Sequence, residues 1–122
     1  ATVSNVFITM HHNPVAIQSS WLQQHCLKNP DAFWEIVDRY PAVKLVLFGH
    51  IHQKLEEQRG QVQVFATPST CIQFLPNSDT FALDTKKPGY RLITLASDGQ
   101  FSTAVKRIED FDYTIDEQST GY

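Results

Sequence analysis

The sequence predicts an α/β fold in which a βαβ unit is followed by mostly antiparallel strands. Three observations predict it. Two apolar, β-branched runs, Val6 to Met10 and Val43 to Phe48, are of strand length and flank a segment with helical start and stop signals. Beyond Lys54 the apolar period shortens to two and turn residues recur, as in hairpins. With 42% apolar and 19% charged side chains, the 122 residues have the usage of a globular chain that buries a core.

Val6-Phe7-Ile8-Thr9-Met10 stops at polar His11-His12-Asn13-Pro14, as a buried strand feeding a loop does. Ser19 or Ser20 is placed to cap a short helix through Trp21, Leu22, Cys26 and Leu27, interrupted by Gln23-Gln24-His25. A second helix has Asn29 as its expected side-chain cap. Pro30 stands at the first helical position, where no N–H is needed, and Asp31 at the positive end of the dipole. Phe33, Ile36, Val37 and Tyr40 fall at i, i+3, i+4 and i+7, predicting one apolar face laid on a sheet before Pro41 ends the helix.

Val43 to Phe48 has the composition of a strand buried on both faces and exits into Gly49-His50-Ile51-His52. Gly49 is expected to allow a sharp exit and a close approach of backbone to a ligand. Leu55 to Gln58 and the alternating Val62, Val64 and Ala66 flank a turn at Arg59-Gly60. A strand is expected from Cys71 to Phe74, and Tyr90 to Leu95 is expected to pair with Phe101 to Ile108 across Ser97-Asp98-Gly99. Residues 77–89 read as a long loop pinned at Phe81 and Leu83. Residues 1–108 form the domain in this reading, and 109–122 an acidic, loosely docked tail.

A net charge of -3 with scattered Lys and Arg leaves no basic stripe, which argues against a nucleic-acid duplex or a membrane surface as partner. The longest apolar run, Leu45 to Phe48, is far short of the roughly 18 residues of a spanning helix, and no leader segment opens the chain. The expectation is a soluble, cytoplasmic protein. Cys26 and Cys71 follow neither a metal-knuckle nor a redox spacing and read as free thiols. Cys71, beside Ser69 and Thr70, lacks the context of a thiol nucleophile, and no Walker loop or dinucleotide fingerprint occurs. Ala1 in place of Met, with an apolar stretch following at once, predicts that the chain starts inside a longer protein.

Neighbouring strands that both end in histidine loops bring those loops to one sheet edge, the edge where α/β proteins build their sites. Imidazole is a good ligand for zinc, iron and manganese. The two loops therefore read together as a candidate metal site, against the plainer reading of loop histidines. His25 has no such companion and reads as an exposed helix residue. A two-metal site also needs a bridging, charge-neutralising ligand, commonly an aspartate. Asp31, Glu35 and Asp38 fall on or near the solvent face of the helix and Glu56-Glu57 in the hairpin, so all five read as solvated surface. Further ligands must come from elsewhere.

The order of strand, His11-His12-Asn13-Pro14, helix pair, strand, Gly49-His50-Ile51-His52, hairpin and Ala66-Thr67-Pro68-Ser69-Thr70-Cys71-Ile72-Gln73-Phe74 closely resembles the bacterial class III 3′,5′-cyclic-AMP phosphodiesterases of the calcineurin-like metallophosphoesterase superfamily. The likeness continues through Pro88-Gly89-Tyr90-Arg91, Asp98-Gly99 and Gly121-Tyr122. It implies the C-terminal half of a four-layer α/β/β/α sandwich with a dinuclear site of divalent or mixed-valence iron, manganese or zinc at the edge of its two sheets. His11 and His50 would bind one ion and His52 the other, with His12 contacting phosphate or supporting His11. The family's Asp-x-His, Gly-Asp and Gly-Asn-His-Asp motifs, which lie upstream, do not occur in this chain.

The resemblance therefore implies that the intact protein hydrolyses cyclic AMP to AMP by attack of a metal-bridging hydroxide, and that this segment alone is inactive. Thr67 to Cys71 either lines the nucleotide pocket or packs. Uncovered sheet edges lead us to expect a homodimer or larger self-association. Two other readings stand beside this one. A non-catalytic metal-binding or self-associating module would bind metal without hydrolysis. A structural sandwich with loop histidines would gain no thermal stability from added metal.

Overall fold

In the computed structural model, which describes residues 3–110 and 112–116, the two apolar runs are parallel neighbours. Strand β1 (Val6–Met10) pairs with β2 (Val43–Phe48), and the connection carries α1 (Ser20–Gln23) and α2 (Pro30–Val37). This is the βαβ unit. The hairpin of β3 (Leu55–Arg59) and β4 (Val62–Ala66) turns at Gly60, whose left-handed φ of 59° is open to a residue without Cβ. Strand β4 also pairs in parallel with β2, giving the order β1-β2-β4-β3. Three parallel strands thus end at one edge.

One face of this sheet presents Val46, Phe48, Val64 and Ala66, which cluster with Leu22 of α1 and with Trp34 and Val37 of α2. Two short strands, β5 (Gln73–Phe74) and β6 (Leu83–Asp84), bring Phe74, Leu83 and the nearby Phe81 to the same core, so residues 77–89 are pinned where the sequence suggests. The other face meets the hairpin of β7 (Gly89–Leu95) and β8 (Phe101–Arg107), through an edge-to-face contact of Phe7 with Phe101 at 5.4 Å. Helices, mixed sheet and antiparallel hairpin form three layers, compatible with part of a metallophosphoesterase fold.

Arg91 of β7 fastens the hairpin to the sheet. Its Nε and Nη2 donate to the carbonyl of Ala66, at 3.2 and 3.0 Å, and its Nη1 to Glu56 Oε1 and Thr103 Oγ1, both at 2.9 Å. The side chain is 1% exposed. Glu56 is exposed, as the sequence suggests, and also serves as a partner of Arg91. Asp38 and Glu35 are exposed too, the first taking a two-pronged contact from Arg59 and the second pairing with Arg39.

The helices depart from expectation in their details. Helix α2 begins at Pro30 with Asp31 in its first turn, but Asn29 makes no side-chain cap bond. Its buried residues are Trp34 and Val37, whereas Ile36 and Tyr40 are 56% and 60% exposed. The Trp34 indole donates to the carbonyl of Pro14 at 2.7 Å, which sets the helix one residue round from the apolar stripe, and the helix ends before Tyr40. Helix α1 stops at Gln23, short of Cys26 and Leu27, and Ser19 makes no side-chain cap bond. The cause is tertiary: the amide of Leu27 bonds to the carbonyl of Asn13, not back along a helix.

The strand expected from Cys71 shrinks to Gln73–Phe74 because the buried Gln73 side chain takes over the preceding backbone. Its Oε1 accepts from the Ser69 amide and its Nε2 donates to the carbonyls of Ser69 and Cys71. Both cysteines are free. No helix among the described residues is long and apolar enough to cross a membrane. The tail expectation falls in part on residues 111 and 117–122, and the Gly121-Tyr122 likeness wholly there; these lie outside the described residues.

Candidate metal centre

Because β1 and β2 run parallel with Met10 opposite Phe48, the loops that follow them leave the sheet side by side. Three tethers fix the first loop. The carbonyl of His11 accepts from the Gly49 amide at 3.2 Å and that of Asn13 from Leu27 at 3.1 Å, while Pro14 accepts from the Trp34 indole. Asn13 is buried, with its Nδ2 donating to Val15. The histidine loop is thus held to β2, to the α1–α2 connection and to α2.

On this frame His11, His12 and His50 converge. Their ring centroids are 5.0 Å apart for His11 and His12, 5.3 Å for His11 and His50, and 4.8 Å for His12 and His50. One ring nitrogen from each lies within 4.8 Å of the others. Nitrogens around a tetrahedral zinc ion stand roughly 3.4 Å apart, so the group is somewhat wider than a closed set of ligands. Among the described residues no carboxylate joins this group.

His50 is at the centre electrostatically. Burial, followed by repulsion from His12, His11, His25 and His52, pushes its pKa down from 6.5 to about 4. Those four and His50 are all five histidines of the chain. At neutral pH His50 is therefore the uncharged imidazole, the form with a lone pair to give. Its Nε2 is buried without a hydrogen-bond partner, and its backbone is left-handed, with φ 60°. His52 shares that conformation, with φ 51°. A side chain in this region costs on the order of 1 kcal/mol.

The left-handed backbone of the exit lies at the histidines and not at the glycine before them. A Cβ on Gly49 would lie 3.8 Å from its nearest neighbour, His11 Nδ1, an ordinary contact, so the sharp exit is made by His50 and His52 themselves.

His52 stands apart from the three. Its ring stacks on Phe74 at 4.2 Å, with 4° between planes, and its Nδ1 is buried without a partner. Burial lowers its pKa, opposed by a hydrogen bond to the Ile72 backbone. It borders a cavity of roughly 320 Å³ shared with Gln53, Lys54, Gln73 and Phe74. Two histidines of one loop are thus turned to different surroundings.

His25, read from sequence as a helix residue without company, is exposed but lies beyond the end of α1, with its ring 6.2 Å from that of His50. No spacing in the sequence signals this. The bond between Leu27 and Asn13 draws the segment over the histidine loop.

The fold and the site define an α/β unit that gathers imidazoles at the carboxyl edge of its parallel strands. Its donors fit a metal of the zinc, iron or manganese kind, since two buried imidazole nitrogens there lack a partner among the described residues. No protein-family model matches the chain. It is 47% identical over 118 residues to the 3′,5′-cyclic adenosine monophosphate phosphodiesterase CpdA of Vibrio vulnificus, covering 97% of this chain and 43% of that protein. CpdA of Pseudomonas aeruginosa is 40% identical over 96% of this chain and 43% of its own length. A 3′,5′-cyclic-nucleotide phosphodiesterase of Nostoc is 46% identical over 83% of this chain and 38% of its own. The chain spans less than half the length of these curated relatives. It is homologous to a segment of the bacterial cyclic-AMP phosphodiesterases, consistent with their C-terminal half.

Proposed function

We propose that the intact protein hydrolyses 3′,5′-cyclic AMP to AMP in a metal-dependent reaction, and that this segment supplies the histidine wall of the site. The observation that carries the reading is the buried, unpartnered Nε2 of His50 within the three-imidazole group. Burying such a nitrogen costs free energy unless something bonds it. The substrate class comes from the names of the relatives.

In this reading His11 and His50 hold one ion and His52 a second, the ions being iron, manganese or zinc, with the four-layer sandwich completed by the rest of the protein. A pair of such ions, when bound, neutralises phosphate charge and activates water for in-line displacement. The chain's own residues do the positioning. Phe74 fixes the ring plane of His52 by stacking, and the bonds at His11, Asn13 and Pro14 keep His11 facing His50. His12 flanks both and supports His11. The segment by itself, lacking a carboxylate in the cluster, binds metal without turnover.

The test is cyclic-AMP hydrolysis with added manganese by the full-length gene product, by its His50→Ala variant and by this chain alone. The expected result is activity in the first only. Metal binding without hydrolysis by the full-length protein would establish the non-catalytic metal-binding module instead. Self-association belongs to the same reading, supported by Tyr90, Leu92 and Leu95 standing 45%, 49% and 57% exposed on the β7–β8 hairpin. A strictly monomeric segment in sedimentation at micromolar concentration would remove it.

A further inference from the structure

We infer that His25 is a substrate-contact residue, donating an imidazole N–H to a phosphoryl oxygen of the phosphodiester held at the histidine cluster. This rests on the phosphodiesterase reading and adds to it a residue outside the expected ligand set.

The geometry separates His25 from the three-imidazole group. His11, His12 and His50 lie 4.8 to 5.3 Å from one another by ring centroid, the spacing of groups able to share one ion. His25 reaches His50 alone, at 6.2 Å, and is not among the three whose nitrogens converge. Its ring lies 0.9 Å farther from that of His50 than the His11 ring does, 6.2 against 5.3 Å, beside the group of three. An anion held at the cluster would be within reach of a donor placed beside it.

Exposure points the same way. His25 is exposed, as are His11 and His12, whereas the Nε2 of His50 is buried, so His25 borders the open side of the cluster, from which a substrate arrives. An imidazole is a suitable group there, because even in its neutral form it keeps one N–H to donate to an anionic oxygen. Its placement is also held by the backbone. The His25 amide bonds to the carbonyl of Leu22 at 2.9 Å, and two residues on Leu27 bonds to Asn13, inside the loop that carries His11 and His12. The residue is therefore fixed relative to the cluster by its own chain and by the loop it overlooks.

The full-length, metal-loaded protein is compared with its His25→Ala and His25→Gln variants by four measurements: bound metal, thermal midpoint, Kd for inorganic phosphate, and kcat/KM on cyclic AMP. A hydrogen bond to a charged oxygen predicts that His25→Ala loses about 10- to 100-fold in kcat/KM and a similar factor in phosphate affinity. Metal content and midpoint stay unchanged, and His25→Gln, which keeps an N–H donor, retains more of both than His25→Ala.

Loss of metal in His25→Ala would make the residue a ligand and overturn the inference. So would unchanged phosphate affinity, whatever happens to turnover, because the contact would then lie on the nucleoside or nowhere. A wild-type protein inactive on cyclic AMP would overturn the phosphodiesterase reading, while the phosphate titration would still decide whether His25 contacts the anion.

Discussion

His50 combines three costs that a loop residue without a role would not retain together: a left-handed backbone, a half-buried imidazole, and a buried ring nitrogen with no partner among the described residues. Replacing it separates fold from function. Asparagine tolerates the left-handed region better than other side chains, so His50→Asn in the full-length protein is expected to keep its thermal midpoint within a few degrees. Metal content should fall and cyclic-AMP hydrolysis should drop by at least about 100-fold. A variant that unfolds, or that keeps its metal, would show that the imidazole serves packing. At this scale the sequence was legible where a histidine is tied to a strand end, as His11, His50 and His52 are. It was not legible for His25, whose position depends on one long-range backbone bond, nor for Gln73 and Arg91, whose polar groups are satisfied by segments remote in sequence or by a local turn.

The element that supports the site is α2, through a single side chain. Trp34 is buried, its indole donates to Pro14, and the guanidinium of Arg59 lies over its ring at 4.4 Å. Trp34→Phe keeps an aromatic ring but leaves the Pro14 carbonyl without its donor. The expected cost is about 1–3 kcal/mol, read from denaturant midpoints, with a fall in metal-dependent turnover as the histidine loop loosens. Full activity alongside the stability loss would show that the other two tethers suffice. The presence and start of α2 followed from Pro30, Asp31 and the apolar spacing. Its buried face did not, because the spacing of Phe33, Ile36, Val37 and Tyr40 fits a stripe that the Trp34 bond and the early helix end set aside. Similarly, α1 was expected to run on to Leu27, and a competing carbonyl on Asn13 shortened it.

Over the whole molecule, the layers are joined at the site edge by Arg91. Its hydrogen bonds to the end of β4, to Glu56 of β3 and to Thr103 of β8 connect both sides of the interface between sheet and hairpin. Arg91→Met removes these donors, two of them from the Ala66 carbonyl, at an expected cost of about 2–3 kcal/mol in equilibrium unfolding. The same contact sets an acid dependence. The hydrogen bond from Arg91, with help from Lys54 and against a burial penalty, holds Glu56 below its ordinary 4.5. A folded value below the unfolded one means that the contribution is present above pH 4.5 and is lost as pH falls through the folded value. Glu56→Gln should therefore lower stability at neutral pH and flatten the decline below pH 4.5, by a small amount because the carboxylate is largely exposed. An unchanged acid profile would assign that decline to other carboxylates.

The amino-acid sequence by itself determined the βαβ unit, the hairpins and the two histidine loops at strand ends. These depend on apolar period, β-branching, Pro and Gly, which act over a few residues and can be read along a line. Tertiary structure alone decided that β4 joins β2 in parallel, that α2 turns on Trp34, and that His12 and His25 close around His50 while His52 stacks on Phe74. Each of those outcomes is a contact between segments far apart in the chain, chosen by which buried donor finds which acceptor and which ring finds which ring. Such choices are made only once the layers have packed.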